Sequence, residues 1–89
     1  MVQTDAYMAI ADPNRRFLLE ELRRAPSTVN ALAALLPISR PAVSQHLKVL
    51  LDAGLLKVRS EGTKRIYSVD KSGFLRLNIW LDQFWDDGS

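Results

Sequence analysis

The spacing of apolar residues along this chain changes from a helical period to a strand period and back. From Asp5 to Asp52 apolar positions recur every three or four residues, which predicts a series of amphipathic helices. From Leu55 to Val69 apolar and polar residues alternate, which predicts strands. From Asp70 to Asp87 the helical period returns. The predicted fold is therefore mostly α with a small β-hairpin, in the order α-α-α-α-β-β-α.

Polar caps and prolines place the ends of the first two helices. The first is short, from Asp5 to Ala11. The second begins at Asp12-Pro13, because an Asp side chain can cap a helix and Pro is tolerated in the first turn. It runs to about Arg24, since Ala25-Pro26 ends it. Its predicted core residues are Leu18, Leu22 and Ala25.

The third and fourth helices are separated by a very short link. Ser27 or Thr28 can cap the third helix, predicted over Val29–Leu36 and stopped by Pro37. Its predicted core residues are Leu32, Leu35 and Leu36. Only Pro37 and Ile38 then precede Ser39, the cap of the fourth helix. So short a link forces a steep crossing, which is helix-turn-helix geometry.

The fourth helix has a tightly apolar inner face and a short, polar outer face. On a helical wheel Val43, Leu47 and Leu50 form a narrow stripe that predicts the core face. Pro41 is tolerated in its first turn, and Gly54 is the expected left-handed stop. The opposite side carries Pro41, Ser44, Gln45, Lys48 and Asp52, with Arg40 nearby.

This outer face has the chemistry of a helix that reads DNA in the major groove. Short side chains let the backbone enter the groove, where Gln can pair with adenine, Arg with guanine and Ser with several edges. The free N–H groups of the helix start attract phosphate. A plain surface helix usually carries Glu–Lys pairs at i, i+4, and this face has none. The candidate DNA contacts on this helix are Ser39, Arg40, Pro41, Ala42, Ser44, Gln45, His46 and Lys48.

His46 has two interpretations. It lies about 60° off the core stripe, so it either reaches a phosphate or packs and hydrogen-bonds at the domain edge. Packing is slightly favoured.

The predicted hairpin supplies a basic wing beside this helix. Its turn contains Gly62, and Arg59, Lys64 and Arg65 bracket that turn, where they could contact phosphates or the minor groove. The alternative is an edge hairpin whose charges only prevent aggregation. Six basic residues against two acidic ones make residues 40–69 positive, whereas residues 70–89 carry a net charge of −2. The positive field therefore coincides with the predicted DNA-reading surface.

The two ends of the chain predict a subunit interface. Four of the seven aromatic residues fall in the last helix, more than a domain of this size easily buries. With the first helix they would form a two-fold contact, placing two reading helices one DNA turn apart, about 34 Å. The predicted interface residues are Tyr7, Met8, Ile10, Phe74, Leu77, Trp80, Leu81, Phe84 and Trp85.

Length and composition limit the number of domains and the kinds of site that the chain can contain. The 89 residues correspond to a single domain, 1–89, with one small core. With no Cys and one His, a closed zinc site is improbable, so no metal or cofactor is expected. Ser44 and His46 are two apart on a helix and do not face each other, and no other catalytic pair is evident, so an enzyme is discounted. No signal peptide or membrane span is recognisable, and a cytoplasmic location is expected.

Four stretches in the same order resemble the ArsR/SmtB family of winged helix-turn-helix transcriptional regulators. They are Ala11–Arg15, Val43–Leu50, Ala53–Leu56 and Arg65–Asp70. The resemblance implies a homodimeric repressor that leaves a pseudo-palindromic operator in double-stranded DNA when an effector binds. The effector itself is not indicated by the sequence.

Two departures from the family pattern matter. The metal sensors of the family carry Cys in the third helix, or His and carboxylate pairs in the last helix. Here the third helix offers no ligand, and the last offers Asp82, Asp86 and Asp87 without His. The chain is therefore most similar to the metal-independent, SdpR-like branch. Also, Ala31 stands where members often place a Glu that completes a capping box, which bears only on local stability.

A different function on the same fold stays open at this point. A winged-helix module that binds proteins and has lost DNA binding would share the pattern of helices and strands. The basic hairpin argues against it.

Overall fold

The computed structural model describes residues 5–85. Within them five helices and one antiparallel hairpin follow the predicted order, which is confirmed. The elements are α1 (Ala6–Ile10), α2 (Pro13–Arg24), α3 (Val29–Ala33), α4 (Arg40–Asp52), β1 (Leu56–Glu61), β2 (Lys64–Val69) and α5 (Lys71–Asp82).

Short polar side chains start the helices at the predicted positions. Asp12 Oδ1 accepts the backbone N–H groups of Asn14 and Arg15 at 2.7 and 3.2 Å. Thr28, rather than Ser27, caps α3, and Ser39 caps α4 through the N–H of Ala42 at 3.2 Å. Each cap satisfies a backbone donor that has no partner inside the helix.

The core lies where α2, α3 and α4 meet the base of the hairpin. The predicted stripe of α4 is confirmed, because Val43, Leu47 and Leu50 are completely buried. Leu18 and Leu22 of α2 and Leu32 of α3 pack into the same cluster. Since α4 buries only this stripe, its opposite face stays at the surface.

Two predicted core residues lie outside the core. α3 ends at Ala33, and the N–H groups of Leu35 and Leu36 bond three residues back, to Leu32 and Ala33. This tighter winding turns Leu35 outward, so that 54% of it is exposed. Ala25 is the extended C-cap residue of α2 and is also exposed, because the helical face ends at Arg24.

Two glycines make the turns on either side of β1. Gly54, at φ +81°, closes α4: its N–H bonds to Leu51 O and that of Leu55 to Leu50 O, a Schellman motif. Gly62, at φ +64°, occupies the first turn position between Glu61 and Lys64, as a type II′ turn requires. The hairpin predicted from the alternation is therefore confirmed.

An unpredicted bridge joins the hairpin to the start of α3. Ser27 and Tyr67 exchange both backbone hydrogen bonds, at 3.0 and 2.8 Å. Ser27 is thus occupied as a short extended segment, which is why Thr28 serves as the cap. This pairing fixes β2 against the helix-turn-helix unit.

The last helix begins on Asp70 and is shorter than predicted. α5 ends at Asp82, and Phe84 and Trp85 lie in the turn that follows, whereas Asp86 and Asp87 lie outside the described residues. Gly73 is buried in its first turn, where an added Cβ would stand only 2.1 Å from Gly54 O. The start of α5 therefore packs backbone to backbone against the turn that ends α4.

Candidate nucleic-acid interface

The exposed face of α4 and the inner face of the hairpin border one polar groove of about 580 Å³. Positions spaced three or four apart along α4 form one side, and β2 forms the other. Its lining residues are Arg40, Pro41, Ser44, Gln45, Lys48, Leu51, Asp52, Arg65 and Tyr67. Six of the predicted DNA contacts thus converge on a single surface.

Arg40 is held in place by a residue that the sequence did not single out. Its Nε donates to Asn30 Oδ1 on α3 at 2.5 Å. Because this bond uses the inner edge of the guanidinium, the two terminal nitrogens stay available as a fork. The neighbouring helix of the helix-turn-helix unit therefore orients the first basic side chain of α4.

Lys48 pairs with Asp52 one turn further along α4, at 2.9 Å between Nζ and Oδ2. This face has no Glu–Lys pair at i, i+4, as the sequence indicated, but the Lys48–Asp52 pair was not predicted. An exposed i, i+4 pair contributes only about 0.3–0.5 kcal/mol. A phosphate can therefore replace Asp52 as the partner of Lys48 at small cost.

The three cations of the hairpin do not share one face. Cross-strand partners lie on the same side, and the register pairs Ser60 with Arg65 and Val58 with Tyr67 on the side of the groove. The Arg65 guanidinium lies over the Tyr67 ring, 5.7 Å from its centre. Arg65 alone of the three therefore lines the groove with α4.

Arg59 and Lys64 occupy the outer face of the hairpin. Arg59 Nη2 lies 3.4 Å from Glu61 Oε2, the neighbour two residues on in the same strand. Lys64 is exposed and is the cross-strand partner of Glu61. Both cations are exposed, so they remain able to meet a phosphate backbone that passes outside the groove.

His46 points away from the groove, toward α2. Arg15 Nη1 approaches its Nδ1 at 3.2 Å, and the same guanidinium donates to Ala9 O through Nε at 2.6 Å. A guanidinium can only donate, so Nδ1 is the acceptor in this contact. This contact agrees with the packing interpretation of His46.

The charges of Arg15 and His46 also affect the pKa of Asp12, the residue that caps α2. Partial desolvation tends to raise the pKa of the Asp12 carboxyl. The N–H groups of Arg15 and Asn14, together with the positive charges of Arg15 and of His46 when protonated, outweigh it and hold that pKa below its ordinary value. The cap therefore stays ionised, and keeps both hydrogen bonds, at neutral pH.

The remaining predicted residues have other places in the structure. Ser39 is the α4 cap, and Ala42 is half-buried beside the core stripe. Leu51, Asp52 and Tyr67 line the groove and Asn30 orients Arg40 beside it, although none of the four was a predicted contact. Asp52 had a signal, its i, i+4 spacing from Lys48, whereas the contact of Asn30 crosses between two helices and had none.

A second exposed surface lies on α1 and α5. Trp80 packs between Tyr7 and Phe84 with its ring tilted against both. Its ring centre lies 5.0 Å from that of Tyr7 and 4.7 Å from that of Phe84. Trp80, Phe84 and Trp85 are 48%, 67% and 63% exposed, and Met8 and Leu81 are also exposed. Leu75 and Ile79 are also exposed, but on a different side of α5 from Trp80, and the sequence analysis did not predict their exposure.

Four residues predicted for this surface are less accessible. Leu77 is buried in the core of its own chain, where it also accepts a hydrogen bond from the Tyr7 hydroxyl at 2.9 Å. Tyr7, Ile10 and Phe74 are half-buried. The accessible part of the surface is therefore centred on Trp80 and Phe84.

Two other kinds of site are absent from residues 5–85. No three His, Cys, Asp or Glu side chains are grouped there as metal ligands would be. None of the helices described has the length and apolar character that a membrane crossing needs.

Comparison with known proteins decides the family. A model described as a helix-turn-helix domain matches residues 10–59. The HTH-type transcriptional regulator Rv2034 of Mycobacterium tuberculosis is 50% identical over 80 residues, covering 90% of this chain and 75% of the relative. The chain belongs to the ArsR/SmtB family of winged helix-turn-helix transcriptional regulators.

Solved structures agree with this family assignment and with the fold. The crystal structure of a possible transcriptional regulator for arsenical resistance has a TM-score of 0.82 and 41% identity, covering 96% of this chain and 86% of that one. The homodimeric winged helix-turn-helix domain of Mb0332 from Mycobacterium bovis has a TM-score of 0.68 and 25% identity, covering 86% of this chain and 75% of that one. The hairpin β1–β2 of the present chain is therefore the wing of an ArsR-family protein, and its α4 is the second helix of the helix-turn-helix unit.

Proposed function

We propose that the protein is a homodimeric transcriptional repressor that reads a pseudo-palindromic operator in duplex DNA. α4 enters the major groove, and the wing contacts the sugar-phosphate backbone. An effector of unknown identity releases the DNA. Residues 1–89 act as one winged helix-turn-helix domain whose terminal helices dimerise.

The observation that carries this proposal is the groove between α4 and the wing. It brings Arg40, Gln45 and Arg65 to one exposed surface, with Arg40 already oriented by Asn30. Arg and Gln are the side chains that make bidentate contacts to guanine and adenine. A protein-binding module has no need for this set, and the named relatives are transcriptional regulators.

Dimerisation supplies the symmetry that a pseudo-palindrome requires. The apolar surface around Trp80 and Phe84 is large for a monomer of this size. Its copy on a second chain would form an isologous contact. The homodimeric neighbour from Mycobacterium bovis supports this assembly.

The proposed repressor belongs to the metal-independent, SdpR-like branch. The chain has no Cys and a single His, and that His is hydrogen-bonded to Arg15. Metal sensing through thiolates or paired histidines is therefore not available to these residues.

Substitutions on α4 and on the outer face of the wing should separate base reading from backbone contact. Replacing Gln45 or Arg40 by alanine is expected to relax preference at one operator position by about 1–3 kcal/mol. Lys64→Ala should weaken binding to all duplexes alike and lower the salt slope by about 1. Affinities for single-base operator variants, measured by fluorescence anisotropy at several salt concentrations, distinguish the two effects.

Arg24→Ala is the matched control for Lys64→Ala. It also removes one exposed cation, but its partner is Glu21 on α2, away from the groove and the wing. We expect its salt slope to match that of the unmodified protein. Unchanged base preference in both Gln45→Ala and Arg40→Ala would refute the assignment of α4 as the reading helix.

A further inference from the structure

A second groove, separate from the DNA-reading surface, lies between α2, the end of β2 and the start of α5. Its volume is about 440 Å³, within the range of small-molecule sites. Ile10, Leu19, Val69 and Phe74 form its floor. These side chains are buried or half-buried, so the floor is apolar and partly shielded from water.

The rim of this groove is mostly cationic. Arg16, Glu20 and Arg23 project from one face of α2, at spacings of three and four residues, and Lys71 projects from α5. Arg16 Nη1 donates to Ile10 O at 2.7 Å, which holds its guanidinium at the mouth of the groove. Among the described residues, no ion pair joins Glu20 to any of these three cations. Three positive groups therefore face one negative group.

We propose that this groove binds a small organic anion with an apolar body and one carboxylate head. The body would displace water from the apolar floor, and the head would meet the excess positive charge of Arg23 and Lys71. A neutral or cationic ligand of the same shape would lack the attraction between its head group and these two cations. The proposed DNA-binding function does not depend on this groove, and ligand binding to the groove can be measured without DNA.

The groove is distinct from the apolar surface centred on Trp80. Phe74 and Trp80 are six residues apart on α5, about 9 Å along the helix axis. Ile10 and Phe74, which the sequence predicted for subunit contact, are floor residues of the groove. The proposal therefore requires that subunit contact uses Met8, Trp80 and Phe84 and their exposed neighbours and leaves the groove open in the dimer.

Three probes with the same tail test the ligand chemistry. Octanoate, 1-octanol and octyltrimethylammonium share an eight-carbon chain and carry an anionic, a neutral and a cationic head group. Each is titrated into the isotopically labelled full chain, and binding is followed by backbone and methyl NMR shifts. Octanoate is expected to shift Ile10, Leu19, Val69 and Phe74, and to bind at least about fivefold more tightly than the alcohol and more tightly still than the cation.

A pair of double variants tests the rim. Arg23→Gln with Lys71→Gln should weaken octanoate binding at least tenfold. Arg24→Gln with Lys57→Gln removes the same charge from exposed positions outside the groove and should change it less than twofold. All four substituted side chains are exposed, so both variants are expected to keep the fold, which their NMR spectra report directly.

Three results would overturn the proposal. Equal affinity for the three probes would show that the rim charge has no role. Shifts confined to Trp80 and Phe84 would place the probe on the other apolar surface. Absence of any shift in the groove would show that a partner subunit covers it or that it does not bind anions.

Discussion

Replacing Gly73 by alanine is expected to destabilise the protein by about 3 kcal/mol. Within a helix this substitution alone would stabilise by about 1 kcal/mol, because alanine has the higher helix propensity. Here the new Cβ would lie 2.1 Å from Gly54 O and 2.9 Å from Gly54 C. The obstacle is backbone, so α5 must move away from the end of α4. Urea unfolding monitored by circular dichroism measures the loss.

Gly62→Ala is the matched control for this substitution. Gly62 lies in the hairpin turn, at φ +64°, where an added Cβ would meet nothing within 4 Å. Only the left-handed backbone conformation opposes it, at about 1–2 kcal/mol. If Gly73→Ala proves as stable as the unmodified protein, the close packing of α5 on the α4 turn is wrong.

Replacing Trp80 by glutamate is expected to convert the dimer to a folded monomer and to weaken operator binding at least about 100-fold. The side chain is half-exposed between Tyr7 and Phe84, so a carboxylate there would be buried against apolar surface only in the dimer. Losing the partner removes the second, effectively intramolecular half-site contact, which contributes a factor of about 10²–10⁴. Sedimentation and anisotropy measure the two effects.

Asn78→Glu provides the control for charge on α5. Asn78 is exposed on the same helix, next to Asp82 rather than in the aromatic cluster. Its variant should remain dimeric and bind the operator as the unmodified protein does. A monomeric Trp80→Glu variant that kept full operator affinity would contradict the dimeric reading of DNA.

Local signals in the sequence were sufficient to predict the elements. Caps and stops such as Asp12, Ser39 and Gly54 depend on the backbone within one turn, so their positions are visible in the sequence. The core stripe of α4 follows from the helical period alone. Leu35 was misplaced because the switch from α to tighter winding after Ala33 has no distinct sequence signal.

Contacts between distant segments could not be predicted in the same way. The Ser27–Tyr67 bridge, the Asn30–Arg40 bond and the Arg15–His46 contact each join elements whose relative placement the sequence does not specify. The division of the wing cations between two faces follows from strand register, which depends on where the turn falls. The outer face of α4 was predictable, whereas the residues that orient its side chains were not.

Selection of bound duplexes from a random pool tests the reading of DNA by α4 most directly. The dimer with paired α4 helices predicts a symmetric consensus whose two half-site centres are about 10 base pairs apart, one turn of the duplex. Recovery of unselected sequences, or of a single asymmetric half-site, would contradict it.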